Sequence, residues 1–367
     1  MADQQRARKV AFPPLGILSL VAEKYLQILG MQVIQLPPTS QRTLDIGIRN
    51  TPETLCVPCK LLFGNYVEAA ERGANEIVML GGTSTCRLGY AVMQNVQRLE
   101  AMGFAITAHT FDLTRLWQEM FRFTGIFGQQ RPVHELIGPI RFLLALLDLT
   151  DELERTALRI RPLEQARGAT ERAYATAWAR IEKLGDRQQL NQEKADILAL
   201  VRGVEQVERR PVLRIGLVGD LYTILTPFLN HNLEVAVGRM GVEVRRWFQH
   251  TAQLYLPLPR PLPQDRLARA LRAGSRYLRR NVGGFALTVV GEAALMVEQG
   301  EVDGLIHVAP FNCTPEVVAQ GALVALQREK GVPVLNLSFD EQTGRAGVMT
   351  RLEAFVDMLG AAQRRRR

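Results

Sequence analysis

Residues 304–329 read GLIHVAPFNCTPEVVAQGALVALQRE, and residues 76–102 read EIVMLGGTSTCRLGYAVMQNVQRLEAM. Each stretch opens on a short apolar run, Gly304–Ala309 or Glu76–Leu80, stopped by proline or glycine. Runs of this length, bounded by turn residues, predict buried strands. Each then passes through a loop with one cysteine, Cys313 or Cys86, into helical apolar spacing, Pro315–Glu329 or Gly89–Met102. Buried strand, loop and helix in repetition predict a mostly parallel sheet covered by helices.

The alternation extends outward from both stretches. In the N-terminal part, Lys9–Phe12, Gln32–Leu36 and Ala105–His109 read as further strands, and Ile17–Leu29 and Leu61–Arg72 as helices. Glycines close these helices at Gly30, Gly73 and Gly103, as expected one residue past a helix end. From about Leu113 to Glu208 strand signals fade, and Glu152–Leu184 and Gln188–Val207 are charged and rich in helix formers. Alternation returns with strands at Leu213–Val218, Glu243–Arg246 and Pro333–Ser338. Helices are expected at Leu229–Met240, Arg266–Arg280, Glu292–Gln299 and Leu352–Gly360, and the proline-rich Leu254–Pro263 reads as a loop. The expected fold is α/β. Two Rossmann-like parallel-sheet domains, 1–125 and 209–367, flank a helical insert or bridge, 126–208, without a close sequence repeat.

The chain has 367 residues, of which 47% are hydrophobic, so two ordinary domains and a sizeable core are affordable and wholesale disorder is excluded. The most apolar run, Ile137–Leu149, is interrupted by Pro139, Arg141 and Asp148 and is too short to cross a bilayer. The N-terminus lacks the apolar core of a secretion signal, so a soluble cytoplasmic protein without membrane attachment is expected. Net charge is +8, carried almost wholly by arginine. The densest basic runs, Arg266–Arg280 and Arg364–Arg367, read as a solvated helix face and a solvated tail. No aromatic residues interleave with them, which argues against nucleic acid. There is no Walker motif, and Gly283-Gly284 lacks the spacing of a dinucleotide loop.

Four cysteines, Cys56, Cys59, Cys86 and Cys313, are too few for a disulfide scaffold in a chain of this size. Each falls in a loop after a strand or at a helix start, the edge at which open α/β sheets bind ligands. Helix starts also lower thiol pKa. The CxxC pair Cys56–Cys59 suits a redox dithiol, half a zinc site or part of a cluster site. Cys86 and Cys313 do not form a second CxxC, so any shared site is built by tertiary structure. An iron–sulfur cluster, zinc and unligated thiols all remain open on the residues alone. Lys60 and Arg87 each follow a cysteine and suit either charge compensation of a cluster or surface salt bridges. Asn312 and Thr314 flank Cys313 and suit either hydrogen bonds to cluster sulfur or turn chemistry. Asp220 and Tyr222 follow a strand end. His109, His134, His231, His250 and His307 show no ligand spacing and read as structural.

Several segments carry a family resemblance: Val10–Pro14 with Gly30, PETLCVPCK at 52–60, CRLGY at 86–90, VGDLYTILTPFLNHNLE at 218–234, APFNCTPE at 309–316, and PVLNLSFDEQTGRAGVMTRLEAFVDML at 333–359. With these the chain resembles the 2-hydroxyacyl-CoA dehydratase D-component superfamily, which includes benzoyl-CoA reductase subunits. It is most like the standalone branch described as CoA-enzyme activase-associated proteins. The resemblance implies an oxygen-sensitive [4Fe-4S] cluster at the domain interface, with Cys56, Cys86 and Cys313 at the family's cysteine positions. Cys59 matches less firmly, since relatives often carry an apolar residue there: by spacing it suits a fourth ligand that closes the cluster, and as a spectator it would leave one iron open. Lys60, Arg87 and Asn312 would surround the cluster. Asp340, Glu341, Arg351 and Glu353 fall in the most recognisable segment and suit a substrate pocket, while Arg351 and Glu353 equally suit capping and pairing at the last helix. An ATP-dependent activase of actin/Hsp70-like fold is the implied partner, and a homodimer fits the family. The implied roles are low-potential electron transfer or, with an open iron, dehydration or reduction of an acyl-CoA. A non-catalytic zinc or scaffold protein is the competing reading.

Overall fold

The computed structural model describes residues 8–80, 86–112, 116–127, 133–207, 212–246 and 264–365. The chain divides into two compact units, the first running to Leu144 and the second from Ala145. The first unit contains β1 (Lys9–Ala11), α1 (Ile17–Ile28), β2 (Gln32–Val33), α2 (Gln41–Asn50), α3 (Val57–Glu71), β3 (Glu76–Leu80), α4 (Arg87–Ala101), β4 (Thr107–Phe111) and α5 (Leu116–Phe127). The unit boundary lies inside α6 (Val133–Ile160), which absorbs the apolar run at 137–149. Among the described residues, no helix is long and apolar enough to cross a membrane.

The second unit continues through α7 (Ala169–Lys183) and α8 (Arg187–Arg202) to β5 (Leu213–Gly219). Three short helices, α9 (Leu221–Leu225), α10 (Pro227–Asn230) and α11 (Leu233–Arg239), lead to β6 (Val242–Arg246). Next come α12 (Gln264–Ser275), α13 (Ala286–Glu298), β7 (Gly304–Pro310), α14 (Thr314–Lys330), β8 (Val334–Phe339) and α15 (Arg345–Arg365). The loop expected at Leu254–Pro263 lies outside the described residues.

Each unit has one four-stranded sheet, ordered β2-β1-β3-β4 in the first and β6-β5-β7-β8 in the second. Every strand pair is parallel. Counted within its own unit, each sheet therefore runs 2-1-3-4, a repeat of topology that the sequence does not display. Burial tracks position. Central β7 is buried at all its residues, while edge strand β4 alternates exposed and half-buried positions. A central parallel strand has helices on both faces, which is why GLIHVAP reads as an unbroken apolar run.

Two glycines let α2 cross α3 at backbone contact. A Cβ on Gly47 would lie 2.1 Å from the Lys60 carbonyl oxygen, and one on Gly64 would lie 2.0 Å from that of Thr43. α3 is buried from Val57 to Ala70, the polar Lys60, Asn65 and Glu68 included. The spacing of apolar residues places its start near Leu61, one turn too late. Pro58 stands in the first turn, where no backbone N–H is needed, so the helix begins at Val57. α2 is absent from the periodicity because its residues are mostly polar. Its start carries a local signal, the Ser40 N–H donating to Thr43 Oγ1 at 3.2 Å.

The α2–α3 crossing fixes the helix that carries Cys59 and Lys60. Gly47→Ala is expected to lower stability by about 1–3 kcal/mol through overpacking. Thermal and denaturant melts check this, and an unchanged midpoint would contradict the close crossing.

Candidate metal centre

Three of the four cysteines occupy the same local position. Cys56 is the N-cap of α3, Cys86 of α4 and Cys313 of α14. All three have extended backbone, with φ of −66°, −72° and −81°. The position arises because a parallel strand delivers the chain to the sheet's carboxyl edge, where the next helix must start. Cys86 follows β3 and Cys313 follows β7, the topologically equivalent strands of the two sheets. In a 2-1-3-4 order the crossovers reverse direction at this strand, and ligands bind at such switch points. The glycine-rich stretch 81–85 before Cys86 lies outside the described residues.

Cys59 stands in the first turn of α3, with its N–H donating to the Cys56 carbonyl at 2.9 Å. The Sγ atoms of Cys56 and Cys59 are 3.5 Å apart. Cys56, Cys59 and Cys313 are buried, Cys86 is half-buried, and none of the four forms a disulfide. Arg87 Nη1 donates to the Thr54 carbonyl at 2.9 Å and so ties the Cys86 helix start to the Cys56 loop. Within the first unit, the tertiary fold therefore brings these two loops together.

Lys60 is not on the surface. It is 2% exposed, and its Nζ donates to the Glu53 carbonyl at 3.2 Å. Lys60 follows Cys59 in the first turn of α3, and its amine reaches back to the loop before that helix. Arg87, by contrast, is exposed. Asn312 is exposed and left-handed, with φ of 63°, so it makes the turn that presents Cys313. Phe311 and Val317 on either side of Cys313 are 56% and 58% exposed. Gly284 approaches Pro315 so closely that an added Cβ would lie 3.2 Å from it. The Gly283-Gly284 loop thus packs on the Cys313 turn.

Behind Cys313 lies a buried polar chain. His307, in the middle of β7, is 1% exposed. Its Nε2 lies 2.9 Å from Glu316 Oε2, and its Nδ1 lies 3.0 Å from Asn336 Oδ1 on β8. Glu316 is the third residue of α14 and is also buried. Asp220 caps α9 at the end of β5, accepting from the Thr223 N–H at 2.8 Å and from its hydroxyl at 2.7 Å. Burial first, and the Glu316 carboxylate second, push the Asp220 pKa up to about 6, against the Thr223 hydrogen bonds and His307. Gly219 makes the approach close. Its φ is 129°, and a Cβ there would meet the Val308 oxygen at 1.9 Å.

The remaining candidates divide. Asp340 accepts from the Gln342 N–H and the Thr343 hydroxyl, at 2.9 and 2.7 Å, and shapes its own turn. Arg351 donates to the Asn336 carbonyl. Tyr222 is buried, Glu341 is half-buried, and Thr314 is exposed at the first position of α14. Glu353 lines a cavity of the second unit. His109 pairs with Glu76 at 2.7 Å, at the amino end of β3. Burial raises the Glu76 pKa, but hydrogen bonds from His109 and Arg8 outweigh it and hold the carboxyl at about 2. The His134 side chain and His250 lie outside the described residues. Sequence reasoning did not single out Glu316. Its signal was an acid three residues after a cysteine N-cap.

A [4Fe-4S] cluster needs thiolate ligands, and of the four thiols Cys56 and Cys59 lie 3.5 Å apart. The three N-cap cysteines stand at helix N-termini, whose positive dipole ends favour anionic thiolates. Among the described residues of either unit, no group of three or more His, Cys, Asp and Glu side chains stands ready to hold a metal ion.

The Asp220 pKa lies above its ordinary value of 3.8. The folded state therefore keeps a proton that the unfolded chain has lost. This stabilisation is complete below about pH 4 and is lost as pH rises to about 6. A shift of about two units corresponds to about 3 kcal/mol. Asp220→Asn is expected to remove this decline. Melts across pH 4–7 would show the variant gaining on the wild type as pH rises, and parallel curves would contradict it.

No curated protein matches the chain. The family model of 2-hydroxyglutaryl-CoA dehydratase, D-component, matches residues 243–359, from β6 to near the end of α15 and including Cys313. Over those residues the chain is similar to the 2-hydroxyglutaryl-CoA dehydratase D-component family.

Proposed function

We propose that the protein is an iron–sulfur protein that binds a [4Fe-4S] cluster through Cys56, Cys86 and Cys313, with Cys59 as the fourth ligand, and serves low-potential electron transfer. The observation that carries this reading is the shared position of three cysteines as helix N-caps, two of which, Cys86 and Cys313, follow equivalent strands of parallel sheets. The family match over residues 243–359 supports it from an independent direction.

When bound, such a cluster supplies one-electron chemistry. The chain's own residues have separate tasks. The N-terminal N–H groups of α3, α4 and α14 stabilise anionic sulfur. The buried Lys60 ammonium offsets negative charge and raises the tendency to accept an electron. The left-handed Asn312 turn exposes the approach to Cys313. Tyr90 and Met93 on α4 are 69% and 76% exposed, as are Phe311 and Val317 to a lesser degree beside Cys313. Tyr90 and Met93 lie one turn apart on α4, and Phe311 and Val317 flank Cys313. They suit an electron-donating partner, for which the family context suggests an ATP-dependent activase.

The CxxC pair favours a closed, fully thiolate-ligated cluster over one with an iron open to an acyl-CoA, because Cys59 lies beside Cys56. Anaerobic purification with iron, sulfide and zinc analysis, and EPR of the reduced protein, tests both readings. Stoichiometric iron and sulfide with a reduced-cluster signal are expected. Cys56→Ser, Cys86→Ser and Cys313→Ser should each lose most of the iron. Cys59→Ser should lose it too if the cluster is closed, and retain it if one iron is open. A colourless protein with stoichiometric zinc after anaerobic reconstitution would overturn the proposal.

A further inference from the structure

The second unit contains a cavity of about 430 Å³ whose lining shares no residue with the cysteine loops. Three segments separated in the chain build it: Arg167 and Glu171 around the start of α7, the turn between α10 and α11 with α11 itself, and the first three turns of α15. His231 and Asn232 form the turn, both left-handed with φ of 57°. Consecutive non-glycine residues in this conformation are strained, and such strain persists only where surrounding structure enforces it. Here the His231 Nε2–H donates to the Thr343 carbonyl at 3.0 Å, and the Asn232 N–H donates to the Pro227 carbonyl at 3.0 Å. The first bond clips the turn to the segment just before α15.

The charges of the lining are unequal in their engagement. Glu171 is already taken by Arg161 at 2.5 Å and by Arg239 at 3.6 Å. Arg167 and Arg345 are exposed, and neither has an acidic partner among the described residues. Both line the cavity, from opposite segments of the unit. Met240 and Met349 supply an apolar wall. Two uncommitted guanidinium groups over an apolar wall favour a carboxylate or phosphate, which arginine binds bidentately. Glu353, two turns along α15 from Arg345, places a negative charge farther along the same helix. It disfavours a second anionic group there.

We infer that this cavity is a binding site for a small organic oxyanion, gripped by Arg167 and Arg345 and screened for single negative charge by Glu353. The inference does not rest on the cluster, because none of these residues is a cysteine neighbour and the test reads binding rather than redox activity.

The full chain is titrated with sodium phosphate and, separately, with sodium acetate and sodium succinate, against sodium chloride at matched ionic strength. Calorimetry and thermal melting report binding. Saturable binding of at least one oxyanion is expected, with no matching response to chloride. A phosphate response alone assigns a phosphate ligand, and a response to the organic acids alone assigns a carboxylate. Arg167→Gln and Arg345→Gln should each weaken binding about tenfold or more, while Arg328→Gln, an exposed change on α14, leaves it unchanged. Glu353→Gln should narrow the preference for acetate over succinate. Both arginines are exposed, so the unliganded variants should melt with the wild type. No saturable response, an equal response to chloride, or an unaltered response in the Arg167→Gln/Arg345→Gln double variant would overturn the inference.

Discussion

All the strand pairs of both sheets are parallel, and the remaining architecture depends on that constraint. A parallel neighbour cannot be reached by a tight turn, so the chain must leave each strand at one edge and return by a crossover. Every helix that comes after a strand therefore starts at the carboxyl edge. The first turn of such a helix offers unpaired N–H groups and the positive end of its dipole. A residue placed just before it is partly withdrawn from water and electrostatically suited to carry negative charge. Cys86 and Cys313 hold this position at equivalent points of two sheets with the same strand order. Cys56 holds it at α3, outside the strand–helix alternation.

The two units support their cysteine loops in different ways. In the first, the glycine crossing of α2 and α3 sets the helix, and Arg87 bridges to Thr54. In the second, a buried polar chain runs from Asn336 through His307 to Glu316, with Asp220 close enough to feel the Glu316 charge. A neutral apolar core would be easier to bury. The buried Asp220 carboxyl, with its pKa raised to about 6 by burial and by Glu316, makes that edge sensitive to protonation. The Glu76–His109–Arg8 group of the first unit lies instead at the amino end of β3, away from the carboxyl-edge loops. Its carboxyl stays ionised because its partners are donors.

The cavity of the second unit has a different character. It is built from a strained turn and a helix face, its arginines are only partly committed, and it belongs to no cysteine loop. It joins two of the segments that make the sequence recognisable, 218–234 and 333–359. Their contact, through His231 and the Thr343 carbonyl, is one that no local pattern foretells.

By itself the sequence determined the α/β class, the parallel strands and the cysteine-bearing loops. Period and punctuation carry that information: GLIHVAP and EIVML are buried runs stopped by proline or glycine, and each leads through its loop into a segment of helical spacing. It did not determine where α3 begins, because Pro58 looks like a breaker in sequence and acts as a first-turn residue in the fold. Nor did it reveal α2, whose stability comes from a glycine contact with α3 rather than from propensity. The matching strand order of the two units, the burial of Lys60, the His307–Glu316 pair and the convergence of Arg167 with Arg345 were decided by tertiary structure alone. Each joins residues whose separation in sequence carries no period, and burial and long-range electrostatics act only once packing has brought them together.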